Sequence, residues 1–152
     1  MLQRSQTLFL LGVFILSLFL VTGPIARFTL EGSEFILKHT GLFNEAGEKL
    51  GVVTWPLSVL FISVVVLAFL NIFFYRHRIR QMRIAVFLIL LNAGMIGMMF
   101  FYTFVSSKQF EGALLMHQWR FVVPPINMIL LYFAFRRIRR DELLVKAFDR
   151  IR

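Results

Sequence analysis

Apolar residues in this chain gather into four long blocks, with polar, charged or glycine-rich stretches between them. The blocks run from about Thr7 to Val21, Leu57 to Tyr75, Ile84 to Val105 and Phe121 to Phe135. A helix needs about 20 residues to cross the hydrocarbon core of a bilayer. The second and third blocks meet that length. The first and fourth are shorter, but their flanks extend them, and Arg4 and Arg136 can snorkel to the headgroups. The expected fold is all-α and integral to the membrane. It is a four-transmembrane-helix bundle in one domain, with spans at about 5–24, 55–75, 83–105 and 119–137.

Between the first two blocks, residues 25–54 are too many for a tight turn. Gly32, Gly41, Gly47 and Gly51 punctuate this stretch like turns. Short β-type runs lie between them: Arg27 to Leu30, Phe35 to Leu37 and Leu50 to Thr54. The pattern predicts two or three short strands, a small β-containing extracytoplasmic loop. Isolated strand pairs are marginal, so this cap must pack on the helix ends or on a partner. Residues 76–82 read as an inside loop. Ser106 to Gln118 reads as an outside loop with room for a helical turn. From Ile126 to Arg152 no glycine or proline interrupts, and Glu142 and Lys146 form a favourable i,i+4 pair. The last span is expected to continue as a helix into the tail, 138–152, or to bend onto the membrane.

The first block also has features of a secretory signal, a basic start at Arg4 and an apolar core from Leu8 to Val21. Its one small-residue exit, Gly23, is followed directly by Pro24, which blocks the usual cleavage. An uncleaved first span is expected.

Composition excludes the soluble alternative. The chain of 152 residues is 59% hydrophobic and 16% charged, against roughly 45–50% and about 25% in soluble domains. A chain of this size cannot bury the excess. The absence of cysteine excludes disulfides, thiol catalysis and cysteine metal sites. The net charge of +9 fits basic flanks of membrane spans better than nucleic-acid binding, so no nucleic-acid partner is expected.

Orientation follows from where the basic residues lie. Arg4, the segment with Arg76, Arg78, Arg80 and Arg83, and the tail from Arg136 onward together hold twelve Lys and Arg. The opposite side holds five: Arg27, Lys38, Lys49, Lys108 and Arg120. The positive-inside rule therefore puts both termini in the cytoplasm, with the chain in the cytoplasmic (inner) membrane. Trp55, Trp119 and Tyr102 then mark the outer interface, and Tyr75 the inner one.

No Asp or Glu lies inside a span, which weighs against proton-coupled transport. Asn71, Asn92 and Asn127 put an amide in each of spans 2, 3 and 4, Ser17, Ser58 and Ser63 add hydroxyls, and helix–helix hydrogen bonding is their simplest role. Ala93 and Gly97, with Gly94 beside them, form a small-residue pair of the kind that serves internal packing. His39 and His117 fall outside and could pair with Glu31, Glu34 or Glu111 at a metal, but their spacing matches no metal motif. His77, among arginines, is expected to be solvated. No phosphate-binding loop, nucleophile elbow or carboxylate pair is present, and no cofactor is expected. Pro124 and Pro125 open the fourth span, where missing N–H donors are tolerated.

Both ends of the chain carry distinctive runs. Met1 to Thr7 reads MLQRSQT, and Ile138 to Arg152 reads IRRDELLVKAFDRIR. With Arg78, Gln81 and Arg83, these resemble a family of small four-span membrane proteins of unknown function found mainly in Bacteroidetes. The resemblance implies a four-span cytoplasmic-membrane protein with no assigned activity.

The expected function is non-enzymatic: an accessory or scaffolding subunit with a basic cytoplasmic surface. That surface would draw on Arg4, Arg76, Arg78, Arg80, Arg83, Arg139, Arg140, Asp141, Glu142, Asp149, Arg150 and Arg152. Its partners would be the lipid bilayer, anionic lipid headgroups and a membrane protein. The alternative is a small transporter or channel subunit.

Overall fold

The computed structural model describes residues 3–30, 32–109 and 113–149, with the side chains of 3–6, 76 and 146–149 left out. Four helices carry the architecture: α1 (Gln3–Val21), α2 (Trp55–Phe73), α3 (Arg78–Gln109) and α4 (Val123–Asp149). Each packs on its neighbours in sequence, and α1 closes the ring against α4. One end of the bundle carries the α2–α3 turn and the last turns of α4; we call it the tail end. The other carries a small open β-sheet.

Each helix buries a stripe at three- and four-residue spacing, as the 3.6-residue period requires. On α2 the stripe is Leu57, Phe61, Val64, Ala68 and Asn71. On α3 it includes Ala85, Leu88, Asn92, Met95 and Met99. The opposite faces are no more polar. Val59, Ile62, Val66 and Phe69 on α2 are exposed, as are Phe87, Leu90, Phe101 and Phe104 on α3. Helices that are apolar on every side belong in lipid rather than water. Among the described residues, three helical stretches are long and apolar enough to cross a membrane: Trp55–Phe73, Arg78–Gln109 and Trp119–Val145. The apolar part of α1, Thr7–Val21, is shorter.

The sheet has strand order β4-β3-β2-β1-β5. Four strands come from the α1–α2 connection: β1 (Ala26–Leu30), β2 (Ser33–Lys38), β3 (Gly41–Phe43) and β4 (Lys49–Leu50). The fifth, β5 (Leu114–His117), comes from the α3–α4 connection and pairs antiparallel with β1, Phe28 opposite Leu115. This corrects two expectations. The sheet has five strands rather than two or three. Of the expected outside loop 106–118, residues 106–109 are the last turn of α3 and Leu114–His117 is a strand; a 3₁₀ turn, Trp119–Val122, then leads into α4. The run Leu114-Leu115-Met116 has no alternation to mark it as a strand. It is recruited by the free edge of β1, a contact far away in sequence. Gly32 and Gly47 hold positive φ (87° and 79°) at the turns that reverse the sheet.

The expected inside loop 76–82 is mostly helical. A 3₁₀ turn, Phe74–Arg76, joins α2 to α3 through His77, whose N–H donates to the Phe74 carbonyl. Neither glycine nor proline interrupts this segment, so α3 starts as soon as the chain has reversed. α4 runs unbroken to Asp149, so the last span does continue as a helix into the tail.

Candidate functional site

Of the expected interaction residues, Arg78, Arg80, Arg83, Arg139, Arg140, Asp141 and Glu142 lie at the tail end, on the first turns of α3 and the last turns of α4. Arg78, at the start of α3, reaches across to α4. Its Nη1 donates to the Asp141 backbone carbonyl at 3.0 Å. The same level holds a second link, from Gln81 Nε2 on α3 to the Asn71 carbonyl near the end of α2 at 3.3 Å. Gln81 is buried although it lies three residues from Arg78. Three helices are thus tied together where the arginines begin.

Two grooves flank α4 there. One, about 590 Å³, lies on the α1 side and is lined by Phe9, Phe133 and Arg136 among others. The second, about 510 Å³, lies on the α3 side with Arg83, Arg139 and Glu142 in its wall. A third hollow of about 630 Å³ gathers His77, Arg78, Arg80 and Arg83 near Glu142. His77 is exposed there, as expected. Arg139 and Arg140 are exposed on α4, whereas Asp141 is only 9% exposed. The side chains of Arg4, Arg76 and Asp149 lie outside what is described, and Arg150 and Arg152 lie outside the described residues.

A second polar feature lies inside the bundle. Asn127 Nδ2 on α4 donates to Ser17 Oγ on α1 at 3.1 Å and to Asn92 Oδ1 on α3 at 3.4 Å. Asn92 Nδ2 donates in turn to the Leu88 carbonyl, and Ser17 Oγ to the Val13 carbonyl. This is the helix–helix bonding expected of these residues. Asn71 departs from it: its side-chain amide is buried, with no partner for either atom among the described residues. Ser63 bonds only its own helix, at the Val59 carbonyl. Thr103 and Ser106 on α3, not singled out by the sequence, are also buried with unpartnered hydroxyls. Only their helical spacing from Met99 would have placed them inside.

The small-residue pair does not serve internal packing. Ala93, Gly94 and Gly97 are exposed, and a Cβ at either glycine would meet nothing within 4 Å. Their neighbours on the stripe, Leu90 and Phe101, also face outward, so the whole face turns away from the bundle.

At the sheet end, Thr54 Oγ1 and Ser58 Oγ, both at the start of α2, donate to the His39 carbonyl at 2.8 and 2.7 Å. The His39 ring stacks on Phe61 at 5.7 Å, and burial followed by the Lys38 charge pushes its pKa below the ordinary 6.5. His117 packs on Phe121 and Phe100 instead. No group of three or more metal-ligating side chains occurs among the described residues, and Glu31 and Glu111 lie outside them. Both histidine rings pack against phenylalanines.

Apolar helices, a polar seam of amides and a capping sheet define a small multi-pass helical membrane protein. Its family is then plain. Residues 2–151 match the model described as Domain of unknown function (DUF4293), and the chain belongs to that family. Neither the curated proteins nor the solved structures give a match.

Proposed function

We propose that this protein is a non-enzymatic accessory or scaffolding component of the cytoplasmic membrane. It crosses four times, with both termini in the cytoplasm and the sheet outside. Its working surface is the basic tail end. The observation that carries this reading is the convergence of arginines from α3 (Arg78, Arg80, Arg83) and α4 (Arg136, Arg137, Arg139, Arg140) on one end of the bundle. Arginine suits both acidic protein segments and phosphate headgroups, because its planar fork binds either in two places.

α1 completes the count of spans. Thr7–Val21 is apolar, packs between α2 and α4, and is continued by the helical residues Gln3–Gln6. The test has two arms. A reporter active only outside the cytoplasm is expected to signal when inserted near Gly41 and to stay silent when fused after Arg152. Gentle detergent extraction is expected to bring down a stoichiometric membrane-protein partner. The opposite reporter pattern overturns the orientation, and a bare chain overturns the scaffolding role.

A second reading, a small transporter or channel subunit, draws on the seam of Ser17, Asn92 and Asn127 at the centre of the bundle. Solute flux through vesicles holding the purified chain alone would favour it over the first.

A further inference from the structure

We infer that the groove between α1 and α4 at the tail end is a binding site for one anionic phospholipid of the inner leaflet. This deepens the proposed function and rests on its placing the tail end at the cytoplasmic surface. The floor is apolar. Phe9 of α1 and Phe133 of α4 face each other with ring centroids 6.0 Å apart, and Leu144 extends the apolar wall. The rim is cationic, with Arg136, Arg137 and Arg140 on the same side of α4. Asp141 also lines the groove, so three positive charges and one negative leave the lining at +2.

The order of these features along α4 names the ligand. The apolar run ends at Phe135, and the arginines begin at Arg136. At 1.5 Å of rise per residue, Phe133 and Arg136 differ in height by only about 4.5 Å. An occupant must therefore be apolar at one end and anionic at the other over a very short distance. A phospholipid has that build: a phosphate for the arginine forks and acyl chains for the phenylalanine floor. Arg137 already lies at this boundary, its guanidinium 5.9 Å from the centre of the Phe9 ring. An acidic peptide fits the rim but not the floor. It would have to lie against the Phe9 and Phe133 rings, on helices bound for lipid.

The groove on the opposite flank of α4 is the internal comparison. Arg83, Arg139 and Glu142 leave its lining at +1, and no aromatic pair forms its floor. If basic charge alone recruited lipid, removing two arginines from either flank would cost the same.

The experiment uses the full chain in an uncharged detergent, titrated with short-chain phosphatidylglycerol or phosphatidylcholine and read by native mass spectrometry. One phosphatidylglycerol per chain is expected to bind in preference to phosphatidylcholine. The double change Arg136→Gln with Arg140→Gln is expected to weaken it about thirtyfold, equivalent to ~2 kcal/mol for two surface arginines. Arg83→Gln with Arg139→Gln is expected to weaken it less than about threefold. Should the glutamine pair fail to fold, Arg136→Lys with Arg140→Lys keeps the charge, and phosphatidylglycerol should still bind more weakly than to the parent. Equal losses from both flanks would overturn the groove and leave the basic-surface reading standing. No preference for phosphatidylglycerol in the parent chain would remove anionic lipid from both.

Discussion

Asn127 and Asn71 are both buried asparagines near the bundle axis, yet they ask for opposite outcomes. Asn127 joins α4 to α1 and α3 through two hydrogen bonds. Asn127→Leu removes them and leaves the Ser17 Oγ and Asn92 Oδ1 acceptors without that donor, but it also removes an Oδ1 that is buried with no partner among the described residues, so stability in detergent should fall by at most about 1 kcal/mol. Asn71 keeps its side-chain amide unpartnered, and an unsatisfied buried polar group costs roughly 1–3 kcal/mol. Asn71→Leu should therefore be neutral or raise the unfolding midpoint. Thermal scans of the two purified variants compare them directly.

His39 gives a pH-dependent outcome. Its folded-state pKa lies below 6.5, through burial first and Lys38 second. A depressed histidine pKa means the fold prefers the neutral ring. The stabilisation is complete above the unfolded value and is lost as pH falls towards the folded one. The unfolding midpoint should drop as pH falls below about 6.5, the unfolded value. His39→Phe, which keeps the stack on Phe61, should flatten that drop.

Where elements meet, one side chain ties the α3–α4 connection to the end of α1. Arg120, in the 3₁₀ turn before α4, donates from Nε to the Phe19 carbonyl at the end of α1 at 3.1 Å, and its guanidinium lies 5.1 Å from the Trp119 ring. A cation at a helix C-terminus is worth roughly 0.3–1 kcal/mol. Gly23 makes room for it, since a Cβ there would run into the guanidinium. Gly23→Ala and Arg120→Gln should each destabilise modestly, and the double variant should lose less than the sum. Additive losses would show that the glycine serves some other purpose.

The continuous α4 raises a separate question about its acidic residues. Asp141, Glu142 and Asp149 would be repelled by an anionic bilayer, so a tail that only set orientation has no use for them. Exchanging all three for Asn or Gln should leave insertion unchanged but release a co-purifying partner. If the partner stays, the tail's role in docking is refuted.

For the molecule as a whole, charge asymmetry is the quantity to test. Arg136, Arg137, Arg139 and Arg140 supply four of the twelve basic residues on the proposed inner side, against five outside. Changing the four to glutamine leaves eight against five, and the reporter after Arg152 should begin to signal in a fraction of chains. Changing them to lysine should not produce that signal, because orientation depends on charge and not on the guanidinium fork.

The helices were legible because lipid imposes its demand locally: a run of apolar residues long enough to cross is visible in the chain itself. The arginines marking one end were legible too, but for the tail 138–152 the pattern left a continuous helix and a bend equally open, and the structure shows the helix unbroken to Asp149. What the linear pattern hid depends on neighbours distant along the chain. β5 is a strand only because β1 offers it an edge. Gly94 and Gly97 face outward only because the buried stripe of α3 runs through Asn92, Met95 and Met99. In a helix apolar on every side, hydrophobicity does not distinguish the lipid face from the packed one. The groove lay beyond reach for a related reason. Phe9 and Arg136 are more than a hundred positions apart, and only the closing of α1 onto α4 sets an aromatic floor beneath an arginine rim.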